Sequence, residues 1–327
     1  MHPVAAPPIG SHLSIAGRMG NAILEADRLG CESLAIFSAS PRIWKRTPVS
    51  IEHLDHWHDQ KKQSRIGPIV MHAAYLANPA STDPRISVLT KDSLCADLLN
   101  CQLLGIDRLV LHPGSSPDED RRSVILRIAK TLDDVFDFTP NNRVEIAIET
   151  TAGSRNSIGG QFEDIRDVLD FSRHSDRLSV CFDTAHVFAA GYDLASEIGL
   201  SETLDQFDRL IGLNRIHVIH LNDSKSACGS KADRHEHLGL GRIPLPVFRA
   251  ILSIAAFRDV PMILETPKDA EGKWDRRNLE ILRRLRLGRS ISEKLLELPS
   301  TGSGNSQEQA EDDRKTECGG SALADER

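Results

Sequence analysis

Eight short apolar runs, each followed by a longer segment of helical periodicity, dominate this chain of 327 residues. Between the runs, apolar residues recur about every 3.6 positions, as at Val124, Ile128 and Leu132. The runs are Ile9 to Ser14, Leu34 to Ser38, Pro68 to His72, Arg108 to His112, Val144 to Glu149, Leu178 to Asp183, Ile216 to Leu221 and Val260 to Glu265. This alternation predicts an α/β protein, a single (β/α)8 TIM barrel with parallel strands.

The ends of the runs carry side chains that can bind metal ions. Six runs finish at or beside such a residue, and the first contains His12: the six are His72, His112, Glu149, Asp183, His220 and Glu265. A doubly wound open sheet fits the same alternation, but only a closed barrel brings all these ends to one face, where barrel enzymes carry out their chemistry. Imidazoles and carboxylates that converge without matching lysines or arginines predict bound cations.

Two local groups add further candidate ligands. His186 follows Asp183 by three residues, and Asp233 and His235 stand two apart, on one side of the chain if it is extended there. The alternatives are a helix N-cap for Asp183 and a solvated loop charge for Asp233. Together with the strand ends the count is nine ligands, which fits three ions. Ligands without thiolate favour Zn, Mn or Fe.

Composition separates the barrel from the ends of the chain. From Ile291 onward there are nine acidic and four basic side chains and few large apolar residues, so we expect a mostly disordered tail at 291–327. Residues 1–8 are expected to be loose, which leaves 9–290 for the barrel domain. The net charge of −7 includes −5 from the tail, so it counts only weakly against a nucleic-acid partner.

Nothing in the sequence indicates export or membrane insertion. No apolar stretch approaches the roughly 20 residues of a membrane span, and the N-terminus lacks a secretory signal pattern. The six cysteines form no Cys-x-x-Cys pair. We therefore expect a cytoplasmic protein with reduced thiols and no membrane partner, working as a monomer.

Eight longer motifs are spread along the chain: IGSHLSIAG, MHAAYLANPA, LVLHPGS, IAIETTAG, CFDTAHVFAAGYD, IHLNDSK, DRHEHLGLG and MILETP. Together they resemble one family, the bacterial abasic-site endonucleases known as endonuclease IV. The resemblance runs from about Ile9 to about Leu287. The sequence departs from the family pattern at Arg18, at Ala73 and Ala74 before Tyr75, and at Ala185. None of these departures removes a candidate ligand.

The resemblance implies three zinc ions per chain, with Mn²⁺ possible at one or more positions. His72, His112 and Glu149 would hold the first, and Glu149 would bridge to a second. Asp183, His220 and Glu265 would complete the second site. His186, Asp233 and His235 would hold the third. Glu149 and Glu265 would be the catalytic residues.

The resemblance also implies a substrate and a reaction. The family hydrolyses the phosphodiester 5′ to an abasic site in double-stranded DNA during base excision repair. The products are a 3′-hydroxyl and a 5′-deoxyribose phosphate, and blocked 3′ ends are trimmed as well. Arg42, Tyr75 and Leu76 match the positions at which the family contacts DNA at the lesion. The resemblance therefore implies that the chain is a zinc-dependent phosphodiester hydrolase of the deoxyribonuclease IV type.

Two other functions are compatible with a metal-binding barrel. A sugar isomerase or epimerase would use one or two divalent ions for proton transfer beside a carbonyl. It would need about four ligands and would have no use for the Asp233 and His235 pair. A non-enzymatic scaffold that holds metal or DNA is the second alternative, and loss of ligands would be its sign.

Overall fold

The computed structural model describes residues 6–40, 43–44, 48–117, 120–154 and 156–297. Eight parallel strands form a closed barrel: β1 (Ile9–His12), β2 (Ser33–Phe37), β3 (Ile69–His72), β4 (Arg108–Leu111), β5 (Glu145–Glu149), β6 (Leu178–Asp183), β7 (Ile216–His220) and β10 (Met262–Leu264). Strand β1 pairs with both β2 and β10, which closes the sheet and excludes the open alternative. Each strand overlaps one predicted run, so the barrel is confirmed.

Helices follow the strands in the predicted alternation. They are α1 (Asn21–Leu29), α2 (Ile51–Gln63), α3 (Pro84–Leu104), α4 (Arg121–Phe138), α5 (Phe162–Phe171), α6 (Thr184–Ala190), α7 (Glu197–Leu210), α8 (Leu245–Leu252), α9 (Lys273–Arg286) and α10 (Glu293–Leu296). Local chemistry sets several boundaries. The Asp83 carboxylate accepts from the first backbone N–H groups of α3, and Gly105 ends that helix in the left-handed conformation. Residues Val124, Ile128 and Leu132 lie on the buried face of α4, as predicted.

One short element is not predicted by the sequence pattern. Between β7 and α8 the chain forms an antiparallel ribbon of two-residue strands, β8 (Asp223–Ser224) and β9 (His235–Glu236). Strands this brief give too few residues for a recognisable alternation of apolar and polar side chains. The ribbon brings His235 and the adjoining Asp233 toward the barrel.

The core has two parts, because successive side chains of a strand point to opposite faces of the sheet. Ile146 and Ile148 of β5 belong to the large cluster that includes apolar residues of the helices, whereas Ala147 belongs to a separate small cluster. Each barrel strand except β1 contributes one member to this inner cluster: Ala35, Val70, Val110, Ala147, Cys181, Val218 and Ile263. These buried residues fill the barrel interior.

The next interior layer is polar except for one phenylalanine. Two residues beyond each inner-cluster member lie Phe37, His72, His112, Glu149, Asp183, His220 and Glu265. The period of two makes each of these side chains point to the same side of the sheet as the apolar residue before it. Six of the nine candidate ligands therefore form a layer directly above a packed apolar floor.

The described chain continues past the predicted domain boundary at residue 290. Leu295 and Leu296 of α10 are partly buried against the apolar core. The domain limits remain predictions, and residues 298–327 of the predicted tail lie outside the described residues. Within the described ranges, no helix is both long and apolar enough to cross a membrane.

The apolar floor predicts a measurable contribution to stability. Ile263→Ala removes a fully buried side chain from the inner cluster and is expected to lower the free energy of unfolding by about 2–5 kcal/mol. Urea denaturation monitored by circular dichroism measures the loss. As a control, Ile51→Ala truncates an isoleucine that is 78% exposed and should change stability by less than about 0.5 kcal/mol. Similar losses of stability in the two variants would contradict the placement of Ile263 in the packed inner cluster.

Candidate metal centre

The nine candidate ligands lie together at the C-terminal mouth of the barrel. The described residues include four groups whose donor atoms all lie within 4.8 Å of one another. Three consist of candidate ligands alone: His72, His112 and Glu149; then Glu149, Asp183, His220 and Glu265; and then Asp183, His186 and His235. The fourth joins Glu149 and His220 to the buried thiol of Cys181, which is not among the predicted ligands. The ninth candidate ligand, Asp233, contacts the third group. Such spacings suit donors arranged about common ions at ligand distances of roughly 2.0–2.2 Å.

Glu149 joins the first two of these groups. Its Oε2 atom lies 3.1 Å from His72 Nε2 and 2.9 Å from His112 Nε2. Its Oε1 atom lies 2.8 Å from His220 Nδ1. The two carboxylate oxygens therefore face different sets of imidazoles, as a bridging ligand requires. Glu149 is fully buried at the end of β5, so its orientation is fixed by packing.

Asp183 caps a helix and also lies among the candidate ligands. Its side chain caps α6, because Oδ1 accepts a hydrogen bond of 2.8 Å from the His186 backbone N–H. Its Oδ2 atom lies 3.7 Å from His220 Nδ1 and 3.6 Å from His235 Nε2. The helix cap therefore uses the Oδ1 atom of Asp183, whereas the Oδ2 atom lies among the candidate ligand atoms.

The third group depends on the segment between the two ribbon strands. Asp233 Oδ2 lies 3.1 Å from His186 Nε2, and Asp233 Oδ1 lies 3.4 Å from His235 Nε2. Although its side chain is 54% exposed, Asp233 therefore reaches into the cluster. The structure brings it together with His186 and His235, and its remaining exposure is compatible with the alternative of a solvated loop charge.

Backbone carbonyls fix the tautomers of three imidazoles. His72 Nδ1 lies 2.7 Å from the Ala73 carbonyl oxygen, and His186 Nδ1 lies 2.8 Å from that of Thr150. His235 Nδ1 lies 3.1 Å from the Glu265 carbonyl oxygen. A carbonyl can only accept, so each ring donates from Nδ1 and keeps the Nε2 lone pair free for a cation. The donor set thus fits a metal centre.

The pKa shifts of residues in the cluster also favour bound positive charge. Burial by itself raises the pKa of Glu149, but the His220 and His112 imidazoles hold it well below its usual value. Burial lowers the pKa of His186, yet the Asp183 and Asp233 carboxylates raise it well above the usual value. Carboxylates gathered in this space attract positive charge, which protons on the imidazoles or metal ions can supply.

Two supporting residues are not among the predicted site residues. His12 Nδ1 lies 2.7 Å from Glu265 Oε1, which holds that carboxylate from the side of β1. Asn222 donates a hydrogen bond of 2.7 Å to Asp183 Oδ2 and accepts one of 2.7 Å from the Glu265 backbone N–H. The position of His12 in the first apolar run is a signal that the sequence does carry. Asn222 stands two residues after His220, and no sequence pattern indicates its partners.

Of the three predicted DNA-contact residues, the structure describes two. Tyr75 is 60% exposed, and its ring centroid lies 5.8 Å from that of His72 and 6.1 Å from that of His112. Leu76 is half-buried beside it. Arg42 lies outside the described residues. Tyr75 therefore stands at the rim of the cluster, next to the first group of donors.

Tyr75 also lines two cavities at the mouth. The larger, of about 560 Å³, reaches Glu265, His235 and Lys268. The smaller, of about 260 Å³, reaches His112, His186 and Asp233. The metal-competent cluster is thus accessible on both sides of the tyrosine.

The fold and the site define a class of protein, the xylose isomerase-like TIM barrels, whose family model matches residues 23–285. More narrowly, the chain belongs to the endonuclease IV family. It is 37% identical over 277 residues to a probable endonuclease 4 of Trichlorobacter lovleyi, with 85% of this chain and 99% of that protein covered. It is 38% identical to a probable endonuclease 4 of Cenarchaeum symbiosum, with 85% and 99% covered. This places it among nucleases.

Solved structures agree with this placement. The crystal structure of endonuclease IV from Thermus thermophilus matches with a TM-score of 0.77 and 33% identity, covering 86% of this chain and 100% of that one. A D-tagatose 3-epimerase-like protein matches with a TM-score of 0.65 and 18% identity, covering 85% and 96%. The second likeness shows a shared barrel fold only.

Metal binding is expected to stabilise the folded chain. Zinc added to metal-stripped protein should raise the melting temperature, because a ligand of the folded state at 100 times its Kd adds about 2.7 kcal/mol. Glu149→Gln should show a much smaller rise, since it weakens the bridging ligand. Thermal unfolding at increasing zinc concentration measures both. Glu52→Gln, at a carboxylate that is 71% exposed, should keep the full rise; an undiminished rise in Glu149→Gln would refute the role of Glu149.

Proposed function

We propose that this chain is an abasic-site endonuclease of base excision repair. It would hydrolyse the phosphodiester 5′ to an abasic site in duplex DNA, leaving a 3′-hydroxyl and a 5′-deoxyribose phosphate, and it would trim blocked 3′ ends. The observation that carries the proposal is the cluster formed by eight of the candidate ligands, with Glu149 shared between groups, and by Asp233, which contacts His186 and His235. Relatives named endonuclease 4, matched over nearly their whole length, support it.

The donor groups would hold three zinc ions, or Mn²⁺ at some positions. His72, His112 and Glu149 would hold the first. Asp183, His220 and Glu265 would hold the second together with Glu149, and His186, Asp233 and His235 the third. Divalent ions bound there would supply Lewis-acid chemistry, lowering the pKa of water and stabilising negative charge on a phosphate.

The two glutamates would contribute differently to the reaction. Glu149 is fully buried, so it would act only through the metal ions that it holds. Glu265 lines the larger cavity, where it could orient a water molecule for in-line attack on phosphorus. One Glu265 oxygen faces His12 and the other lies 3.1 Å from His220 Nδ1, so the carboxylate has a fixed direction. Its pKa stays well below the usual value despite burial, chiefly through His220, so it is ionised at neutral pH.

DNA contacts are proposed at the rim. The exposed ring of Tyr75 and the adjoining Leu76 would insert at the lesion, where a missing base lowers the cost of unstacking. Arg42 would contact the same region of the duplex. The monomeric state and the cytoplasmic location stay predictions.

The rival reaction is a metal-dependent sugar isomerisation or epimerisation. The group formed by Glu149, Asp183, His220 and Glu265 would be enough for it, whereas the His186, Asp233 and His235 group would have no part in it. Elemental analysis combined with a nicking assay on the same preparation separates the two: three ions and cleavage of an abasic oligonucleotide support the nuclease. One ion without cleavage supports the isomerase, and three ions without cleavage support a scaffold.

Loss of the bridging carboxylate should abolish most activity. Glu149→Gln is expected to slow nicking of a duplex with one abasic site by on the order of 10²- to 10⁴-fold. A gel assay of a labelled oligonucleotide under single-turnover conditions measures the rate. Glu145→Gln changes the other glutamate of β5, outside the site, and should leave the rate unchanged. Native-like nicking by Glu149→Gln with full metal content would overturn the catalytic assignment.

Removal of the Tyr75 ring should weaken DNA binding more than it changes the chemistry. Stacking on an aromatic ring contributes about 1–3 kcal/mol, so Tyr75→Ala should raise Kd for abasic duplex roughly 5- to 150-fold. Tyr75→Phe keeps the ring and should bind almost normally. Phe138→Ala removes another exposed aromatic side chain, at the end of α4, and serves as the control. Fluorescence anisotropy measures binding, and equal affinities for all variants would contradict the contact.

A further inference from the structure

Asp223 is a buried carboxylate that takes no direct part in the cluster. It lies three residues after His220, at the start of β8, and its relative exposure is 0%. Four backbone N–H groups donate to it. Those of Ser224 and Ile243 lie 2.7 and 2.9 Å from Oδ1, and those of Gly239 and Gly241 lie 3.0 and 2.9 Å from Oδ2. These hydrogen bonds stabilise the charged form and partly offset the burial, which raises the pKa of this carboxyl to about 6.

These four donors come from the two ends of one segment. Ser224 begins this segment, and Gly239, Gly241 and Ile243 follow β9. The Asp223 carboxylate therefore holds the two ends of the segment together, and we call this contact the tie. Two backbone hydrogen bonds reinforce the closure, from Lys225 N–H to the Arg234 carbonyl and from Arg242 N–H to the Ser224 carbonyl. We call residues 224–243 the ribbon loop.

The tie leaves no room for a larger residue at position 241. A Cβ atom added to Gly241 would stand 2.3 Å from Asp223 Oδ1 and 2.6 Å from the Ser224 carbonyl oxygen, closer than non-bonded atoms approach. Glycine at this position therefore permits the approach of the Asp223 carboxylate. The lack of space for a Cβ atom at position 241 indicates that the Asp223 contact is a specific feature of the fold.

The tip of the ribbon loop, residues 227–234, is exposed throughout and includes Asp233, and His235 follows it directly. Two backbone hydrogen bonds hold the tip against α6, from the Gly229 N–H to the Phe188 carbonyl and from the Lys231 N–H to the Ala189 carbonyl. The tie at Asp223 adds to them by fixing the two ends of the loop. An exposed loop of this length loses considerable backbone entropy when it is fixed, and a metal ligand has to be held within about 0.5 Å. Fixing both ends of the loop reduces the entropy that binding an ion would have to overcome.

We propose that Asp223 is a positioning residue for the third metal group, His186, Asp233 and His235. It acts through the backbone of the ribbon loop and not by contact with the ligands. The inference rests on the proposed three-ion site and adds a residue that would tune one ion selectively.

Asp223→Asn tests this with almost no change in side-chain volume. The amide replaces one acceptor oxygen by an NH₂ group, which would face two backbone donors and break their hydrogen bonds. We expect the variant to bind one ion fewer per chain than the native protein at limiting zinc, with affinity for that ion lowered roughly 10- to 100-fold. Elemental analysis after dialysis against buffered zinc measures both quantities. Nicking should be lost at low zinc and recovered at high zinc, which a merely structural defect would not show.

Asp133→Asn is the matched control. Asp133 is a buried carboxylate of α4 that accepts hydrogen bonds from the backbone N–H of Arg173 and the hydroxyl of Ser172. This variant loses comparable buried contacts outside the site and should keep the native ion count. An Asp223→Asn protein with native ion count and zinc affinity would overturn the proposal, as would an equal loss in Asp133→Asn.

Further variants separate this proposal from the proposed reaction. Asp233→Asn removes a ligand, so adding Asp223→Asn to it should remove no further ion; a second lost ion would contradict action through this one site. Gly241→Ala pushes on the same carboxylate without changing it and should reproduce the zinc dependence, even if Asp223→Asn folds poorly. A native Gly241→Ala ion count would count against the tie. Because ion counts need no substrate, a native protein that binds metal but does not nick DNA would refute the reaction alone.

Discussion

The period of two along a β-strand determines where this site can exist. Residues two apart face the same side of the sheet, and closure of the barrel gives all eight strands one common interior. A floor of small and branched apolar side chains, among them Ala147 and Val218, is followed one step later by six of the candidate ligands. Each of these strands needs only one polar residue at the right step to contribute to the cluster. Strand geometry therefore places the two groups of candidate ligands that share Glu149, whereas His186 of α6 and the segment between β8 and β9 complete the third.

Charge compensation decides how this layer can be stable. Glu149 and Asp183 are wholly buried, and an isolated carboxylate so placed would be strongly destabilising. Neighbouring imidazoles reduce the cost, and carbonyl groups hold three of these rings in the orientation that leaves a lone pair facing inward. The same arrangement that lets carboxylates be buried thus prepares them for cations. The imidazoles beside the carboxylates thus explain both why these carboxylates can be buried and why the cluster is suited to bind cations.

The sequence allows the barrel and most of the centre to be predicted, because strand ends are local features. His72 and Glu149 can be recognised from the apolar runs before them. The His12 contact with Glu265 cannot, since it joins residues 253 positions apart. Nor can the tie at Asp223, because its partners are backbone amides, which every residue except proline possesses. Arg42 lies outside the described residues, so the prediction for it stays open.

The carbonyl partners of the imidazoles have a consequence for how this chain can vary. The departures from the family pattern include Ala73, whose carbonyl oxygen orients the His72 ring. Since the acceptor belongs to the main chain, an exchange of side chain at that position leaves the ring's orientation intact. The side chains beside a candidate ligand can therefore change while the direction of its ring, and with it the Nε2 lone pair, is preserved.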